Sequence, residues 1–209
     1  MAAVIFKLNF KPLYELSLKT LRKNKVVTIQ KNPTIKSVKK LFEIPFFSGK
    51  KTEALKIINS KILTSEKPYV IVTPNVDHIV HLNTNKKIRR EYLKADLFLP
   101  DGAPVVWASR LLKKNLTERI TGADMVPAIL ELLQNTKLKI VFVGGFPSEE
   151  QKIEKEISKL YPGINACCIS PSNNFDPYSN EASEIEKKIK EYAPALVFIC
   201  LGFPKQEFW

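Results

Sequence analysis

Asp101 is the residue whose type and position most directly suggest chemistry. It stands in the stretch FLPDGAPVVW, residues 98–107, where one apolar run ends and a second, with helical spacing, begins. Asp-Gly is a common turn pair and Asp is a good helix N-cap, so a purely structural role is open. The functional alternative is a general base, because ligands bind at the carboxyl ends of strands in open α/β sheets.

Three other predicted strand ends carry polar or glycine-rich segments: TPN at 73–75, GG at 144–145 and GFPKQE at 202–207. Parallel strands end on one edge of a sheet, so we expect these segments to share a rim with Asp101. The expected rim residues are Thr73, Asn75, Gly144, Gly145, Gly202, Lys205 and Gln206, with Arg119 from the loop segment ERITGAD. Glycine at a strand–helix junction lets a phosphate approach backbone N–H groups, so the pattern indicates a nucleotide or sugar-nucleotide site.

Several common nucleotide and metal motifs are missing from the sequence. It contains no G-x-G-x-x-G, no G-x-x-x-x-G-K-[ST] and no D-x-D. His78 and His81, with Asp77, could touch a metal, but an exposed or capping helix face is the simpler interpretation. Without a metal, a diphosphate leaving group depends on backbone N–H groups, helix dipoles and cationic side chains. Without a histidine base, the proton goes to a carboxylate, and Asp101 is the carboxylate at the mouth of the predicted sheet.

The elements that position these residues form a regular alternation from residue 68 onward. Strands are predicted over 69–73, 96–100, 138–145, 164–170 and 195–202, and helices follow them over 76–82, 103–114, 122–135, 148–161, 180–192 and from 204. This predicts a doubly wound, mainly parallel, Rossmann-like α/β sheet with helices on both faces. Earlier in the chain we expect an amphipathic helix over 10–21, a short strand over 25–30, a turn over 45–51 and a helix over 52–65.

Charge is unevenly distributed along the 209 residues. The whole chain carries net +12, of which residues 1–67 contribute +11, whereas the remainder is close to balanced. Such a basic stretch suits nucleic acid or anionic lipid, although a solvated lysine-rich surface is equally open. The three cysteines form neither a disulfide framework nor a zinc pattern, so reduced thiols and a reducing compartment are expected. No secretory signal or spanning apolar run is evident.

Taken in order, the segments TPNVDHIV, ADLFLPDGAPVVWASRLL, ERITGADMVPAIL, VFVGGFPSEE and FICLGFPKQEFW resemble the bacterial WecG/TagA/CpsF glycosyltransferases. The resemblance covers about residues 41–209, and it leaves residues 1–40 as a basic N-terminal extension. The sequence given ends at Trp209, just inside its last predicted helix. We therefore expect the domain over 41–209 to lack the basic C-terminal appendage that the family carries.

The resemblance implies an inverting, metal-independent hexosyltransferase without a cofactor. Its donor would be a UDP-sugar carrying N-acetylmannosamine or its uronic acid, and its acceptor a sugar on a polyprenyl diphosphate, in cell-surface polysaccharide synthesis. The implied location is the inner face of the cytoplasmic membrane, peripherally bound to an anionic surface, with no nucleic acid; a homo-oligomer is left open.

The resemblance also implies roles for individual residues. Asp101 would deprotonate the acceptor hydroxyl, Thr73 and Asn75 would line the site, Arg119 would meet a phosphate or acceptor group, and Gln206 would contact the donor. The segment SNNFDPY departs from the family pattern, which often has a Gly-aromatic pair there.

Two other classes of protein are alternatives to a glycosyltransferase. Another Rossmann-like nucleotide-binding enzyme, such as an oxidoreductase, would need the dinucleotide fingerprint that the sequence lacks. A basic nucleic-acid-binding module would need stacking aromatics interleaved with the charges of residues 1–67, but the aromatics there fall largely on the apolar helix face.

Overall fold

The computed structural model describes residues 5–7, 37–65 and 67–209; for 5–7 only the backbone is described. Within these ranges there are eight strands: β1 Ile5–Lys7, β2 Val38–Leu41, β3 Ile44–Phe47, β4 Val70–Val72, β5 Leu97–Phe98, β6 Lys139–Val143, β7 Asn165–Ile169 and β8 Leu196–Ile199. The same described part of the chain has eight α-helices: α1 Lys51–Thr64, α2 Val76–Thr84, α3 Lys86–Tyr92, α4 Ala103–Leu111, α5 Gly122–Leu133, α6 Glu150–Leu160, α7 Asn180–Tyr192 and α8 Lys205–Phe208.

The strands form one mixed sheet in the order β2-β3-β5-β4-β1-β8-β6-β7. β3, β5 and β4 pair in parallel, as do β8, β6 and β7. β1 lies between the two groups and is antiparallel to both β4 and β8, so all six of the parallel strands run in the same direction. Their carboxyl ends therefore lie on one edge of the sheet.

Helices cover both faces of this sheet. Successive strand residues point to opposite faces, and along β8 Leu196 and Phe198 belong to one buried apolar cluster while Val197 and Ile199 belong to the other. The first cluster contains side chains of α1, α5 and α6, and the second contains side chains of α2, α3, α4 and α7. The core thus consists of two apolar layers separated by the sheet.

The outer edge of the sheet at β7 is covered by carboxylates from α6. Glu154 Oε1 accepts the Cys168 backbone N–H at 2.7 Å, and Glu150 Oε1 accepts the Ser170 N–H at 2.6 Å. These bonds satisfy donors that an edge strand otherwise presents to other chains. The strongly amphipathic 148–161 segment therefore protects the sheet as well as packing on it.

The mixed α/β architecture with parallel strands and helices is confirmed, and the structure differs from the sequence expectations in local detail. Residues 45–51, predicted as a turn, begin in β3, because Phe46 and Phe47 are buried on opposite sides of the sheet. α3 was not predicted as a separate helix; Asn85 ends α2 and caps α3 by accepting the Lys87 and Ile88 N–H groups. β1 and β2 are antiparallel to their neighbours.

Some expectations fall where the structure gives no description. The amphipathic helix over 10–21 and the strand over 25–30 lie outside the described residues. The domain boundary near residue 40 stays a prediction, although β1, from within the first 40 residues, pairs with β4 and β8.

Candidate active site

Asp101 lies at the carboxyl edge of the sheet, in the turn between β5 and α4. Its backbone N–H donates to the carbonyl oxygen of Pro74 at 3.1 Å, which ties this turn to the segment that follows β4. Gly102, at φ +95°, turns the chain into α4. The Asp101 side chain is largely enclosed, with 5% of the residue exposed. The strand end, rather than α4 itself, therefore determines where this carboxylate sits.

The surroundings of Asp101 make it a better proton acceptor than an exposed aspartate. Burial raises the pKa of its carboxyl group, and the nearby Asp124 adds to the rise. A hydrogen bond from the Gly122 N–H and the charge of Arg119 oppose that rise and stabilise the ionised form. A carboxylate that is held ionised but partly desolvated is suited to general-base chemistry.

Arg119 stands beside Asp101 on the loop that leads into α5. The Ile120 N–H donates to the Pro100 oxygen at 2.8 Å, which fixes this loop against the Asp101 turn. Arg119 Nη2 lies 3.3 Å from Asp124 Oδ2, and both side chains are about half exposed. An exposed ion pair of this kind contributes little stability, so the guanidinium can exchange its partner for an anionic ligand at small cost.

The TPN segment is built into the start of α2. Thr73 is fully buried at the end of β4. Asn75 is the N-cap of α2, and its Oδ1 accepts the His78 backbone N–H at 3.1 Å. The cap fixes the orientation of the Asn75 side chain at the sheet edge.

The glycines of the rim have two different physical explanations. A Cβ on Gly144 would lie 2.5 Å from the Cys200 carbonyl oxygen, so the close approach of the β6 and β8 ends requires glycine there. Gly202 has φ +77°, and no atom of the described residues comes within 4 Å of its Cβ position. Gly145 has φ +87°, with the Ser170 hydroxyl 3.9 Å from its Cβ position. Gly145 and Gly202 therefore leave backbone accessible at the rim, whereas Gly144 serves packing.

The KQE segment forms the short helix α8 at the end of β8. Lys205 Nζ donates to the Asn173 carbonyl oxygen at 3.4 Å, which joins α8 to the SNNF loop. Gln206 is 2% exposed, and its Nε2 donates to Glu207 Oε1 at 2.9 Å. The structure thus brings four of the expected residues to the carboxyl edge of the sheet: Thr73, Asn75, Asp101 and Arg119. Lys205 lies at the same edge, whereas the side-chain amide of Gln206 is turned into the interior.

Sequence reasoning missed a buried polar cluster behind this rim. His78, interpreted above as part of an exposed or capping helix face, is buried, and its Nε2 lies 3.7 Å from Glu207 Oε1. Burial raises the pKa of Glu207 to about 7 and lowers that of His78 to about 4. The phenol of Tyr92, also fully enclosed, has its pKa raised by burial and by the charges of Glu207 and Asp101. The available signal was the placement of a Glu among Phe and Trp in KQEFW.

The two histidines do not converge on a common point. His81 Nε2 lies 3.6 Å from Asp77 Oδ1 on the solvent side of α2, whereas His78 faces Glu207 in the interior. Among the residues that the structure describes, no group of three His, Cys, Asp or Glu side chains is arranged to hold a metal ion. Within the same described ranges, no helix has both the length and the apolar character needed to cross a membrane.

Comparison with known proteins finds a matching family model and similar proteins that share one name. Residues 39–209 match the family model described as "Glycosyl transferase WecG/TagA/CpsF family". The chain is similar to the N-acetylglucosaminyldiphosphoundecaprenol N-acetyl-beta-D-mannosaminyltransferase of Bacillus spizizenii, at 28% identity over 82% of this chain and 65% of the relative. It is 27% identical to the protein of the same name from Staphylococcus aureus, over 66% of this chain and 53% of the relative. The chain therefore spans between about half and two thirds of these relatives.

Proposed function

Because the chain belongs to the WecG/TagA/CpsF glycosyltransferase family, we propose that it catalyses an inverting, metal-independent hexosyl transfer. The donor is a UDP-sugar and the acceptor is a sugar carried on a polyprenyl diphosphate. The names of the relatives specify an N-acetylmannosaminyl group and an undecaprenyl-diphosphate-linked N-acetylglucosamine, and we assign this chain the same classes of substrate. The product belongs to the synthesis of a cell-surface polysaccharide.

The observation that carries this proposal is the enclosed carboxylate of Asp101 at the sheet edge. Asp101 accepts the proton of the acceptor hydroxyl, and the resulting alkoxide attacks the anomeric carbon of the donor. The glycosidic bond forms on the face opposite the departing UDP, so the configuration at that carbon inverts. The raised pKa of Asp101 makes its carboxylate a stronger acceptor for this proton.

Stabilisation of the leaving diphosphate comes from cations and backbone donors. Arg119 lies beside Asp101 and is half exposed, so it can bind a phosphate oxygen. Lys205 stands at the same edge, and the backbone around Gly145 and Gly202 is open to a close approach. Donors that are already in place lower the energy of the developing charge without reorganisation.

The architecture supports the same interpretation. We infer a doubly wound, Rossmann-like sheet, because helices cover both faces and six strands run in one direction. In such sheets the ligand crevice lies outside the carboxyl ends of the strands, which is where Asp101, Asn75 and Lys205 are found.

We further propose that the protein acts peripherally at the inner face of the cytoplasmic membrane. A polyprenyl-linked acceptor is anchored in the bilayer, and residues 1–67 carry net +11, which suits an anionic lipid surface. No role for nucleic acid is proposed.

The test is product formation with purified protein. A panel of UDP-sugars is incubated with a short polyprenyl-diphosphate-linked N-acetylglucosamine, and the lipid products are examined by mass spectrometry. We expect one added N-acetylhexosamine from UDP-N-acetylmannosamine. Failure to transfer any sugar, together with failure to bind UDP, would overturn the proposal.

A further inference from the structure

A cluster of buried polar side chains joins α8 to α2 and α3. It consists of His78, Tyr92 and Glu207. The side chains of His78 and Glu207 are 3% and 1% exposed, and the ring centroids of His78 and Tyr92 are 5.9 Å apart. Each of these groups costs free energy to desolvate, so the contacts that it makes in the interior determine whether the cluster is stable.

The tautomer of His78 follows from its contact with Asn75. His78 Nδ1 lies 2.6 Å from Asn75 Oδ1, and the same oxygen accepts the His78 backbone N–H. The Asn75 backbone nitrogen also lies 3.5 Å from Nδ1, on the side where Nδ1 would accept. The contact with Oδ1 is much shorter, and an amide oxygen only accepts hydrogen bonds, so we assign the proton of the neutral ring to Nδ1. Nε2 is then a bare acceptor that points toward Glu207.

Glu207 is the group that can supply the missing donor. Its Oε1 accepts the Gln206 Nε2–H at 2.9 Å, and Oε2 has no hydrogen-bond partner among the described residues. A protonated Glu207 carboxyl group, whose Oε1 lies 3.7 Å from the His78 Nε2 lone pair, makes the two side chains a neutral buried pair. The opposite pKa changes of the two groups, raised for Glu207 and lowered for His78, favour the same neutral pair.

The cluster matters for α8 because tertiary contacts fix how its residues 205–208 lie against the rest of the fold. On one side Trp209 packs against Phe175, with ring centroids 5.6 Å apart, and on the other Phe203 meets the edge of the His78 ring at 4.8 Å. The Glu207 carboxyl group is the polar link between α8 and α2.

We propose that His78 and Glu207 are positioning residues for the donor: their buried contact holds α8, with Lys205 and Gln206, against the Asn75 cap of α2. The TPN and KQE segments then form one site rather than two independent ones. This inference rests on the proposed function, since it concerns binding of the UDP-sugar. Neither residue touches the reacting atoms.

The test compares two substitutions at one position. Glu207→Gln keeps a neutral donor for His78 Nε2 and an oxygen for Gln206, whereas Glu207→Leu keeps similar volume but removes both. We expect Glu207→Leu to raise the KM for the UDP-sugar by roughly 10-fold or more, with kcat changed by less than about 3-fold, because a small displacement of binding groups weakens binding steeply. Glu207→Gln restores KM to within about 3-fold of the wild type.

A matched change on the other helix and a control complete the experiment. His78→Leu should reproduce the KM increase of Glu207→Leu, and the double variant should add little to it, since both remove one contact. His81→Ala is the control, because His81 also lies near Phe203, at 5.0 Å between centroids, but is exposed. Its KM should equal that of the wild type. Circular dichroism and UDP titration calorimetry on each variant report folding and nucleotide affinity separately from turnover.

The possible outcomes separate the two proposals. Wild-type protein that neither binds UDP nor transfers sugar contradicts the proposed function. Wild-type protein that is active, with folded Glu207→Leu and His78→Leu variants of unchanged KM and UDP affinity, overturns the positioning role alone. Equal impairment of Glu207→Gln and Glu207→Leu also overturns it, because the polar contact of a neutral side chain at position 207 would then be irrelevant.

Discussion

The backbone N–H of Asp101 and the carbonyl oxygen of Pro74 are joined by a 3.1 Å hydrogen bond between the turns that follow β5 and β4. This single bond places the PDG segment, which carries the Asp101 carboxylate, beside the TPN segment that leads into α2. It brings the PDG and TPN segments together at the sheet edge although they are well separated along the chain. The carboxylate is therefore positioned by the turns that follow two adjacent parallel strands.

Removal of divalent metal is expected to leave activity unchanged. Stabilisation of the leaving diphosphate is assigned to Arg119, Lys205 and backbone donors. The sequence has no D-x-D segment to hold a metal on the diphosphate. The measurement is initial rate in excess EDTA against rate with added Mg²⁺ or Mn²⁺. Loss of activity in EDTA and its recovery with either metal would show that this assignment is wrong.

Substitution of Arg119 is expected to reduce catalysis without reducing stability. Arg119→Ala should lower kcat/KM by roughly 10- to 100-fold, because a charge-assisted contact to phosphate is lost. The melting temperature should change little, since the exposed pair with Asp124 contributes about 0–1 kcal/mol.

Arg110→Ala is the matched control for that experiment, because Arg110 is an exposed arginine in the last turn of α4, away from the carboxyl edge. It should retain wild-type kcat/KM. Equal kcat/KM in both variants would remove Arg119 from the phosphate-binding role.

The buried Glu207 predicts a specific pH dependence of stability. Burial raises its folded-state pKa from 4.5 to about 7, so the unfolded state loses this proton at lower pH than the folded state does. Its contribution to stability is fully present below about pH 4.5 and is lost as pH rises toward 7. Glu207→Gln has no such loss. From pH 4.5 to 7, its free energy of unfolding should therefore rise relative to that of the wild type by on the order of 2–3 kcal/mol.

Urea titrations of the two proteins at several pH values measure this difference. The pKa of His78 is lowered to about 4 in the folded state, so this residue reduces the free energy of unfolding as pH falls below 6.5. The reduction occurs in both proteins, so it largely cancels when their free energies of unfolding are subtracted. A difference that is constant between pH 4.5 and 7 would mean that Glu207 titrates normally.

The sequence predicted the residues at the carboxyl edge of the sheet better than it predicted the buried polar cluster behind that edge. Asp101 and Asn75 follow strands whose apolar runs end abruptly, and parallel pairing then places both at one edge, so pattern alone locates them. His78 was harder, because a histidine three residues after an N-cap looks the same whether it faces solvent or the core. Its burial depends on α8, more than 120 residues later in the chain, folding back over α2.

One further difference has the same kind of cause. Residues 45–51, which include Pro45 and Gly49, were predicted as a turn. Burial of Phe46 and Phe47 in the two apolar layers places the start of this segment in β3 instead. The phosphate-binding role of Gly144 stays a prediction, and its close approach to Cys200 is a packing requirement that no local pattern reveals.

Binding to anionic membranes should depend on salt. Residues 1–67 carry net +11, and each lysine or arginine near an anionic surface contributes about 1 kcal/mol within a Debye length of ~8–10 Å. We expect co-sedimentation with vesicles that contain anionic lipid, none with neutral vesicles, and release of most protein by ~0.5 M salt. Equal binding to neutral vesicles would point to an apolar contact, and no binding to either would mean that the charge is only a solvated surface.

Asp101 is assigned as the general base, and the turnover of Asp101→Asn tests this assignment most directly. The asparagine preserves size and can still meet the Gly122 N–H with its oxygen, so the fold and UDP affinity should remain within about 3-fold of the wild type. Turnover of the UDP-sugar with the polyprenyl-linked acceptor should fall by roughly 10²–10⁴-fold, the range typical for loss of a general base. Near-normal turnover in a folded, UDP-binding Asp101→Asn protein would contradict the account.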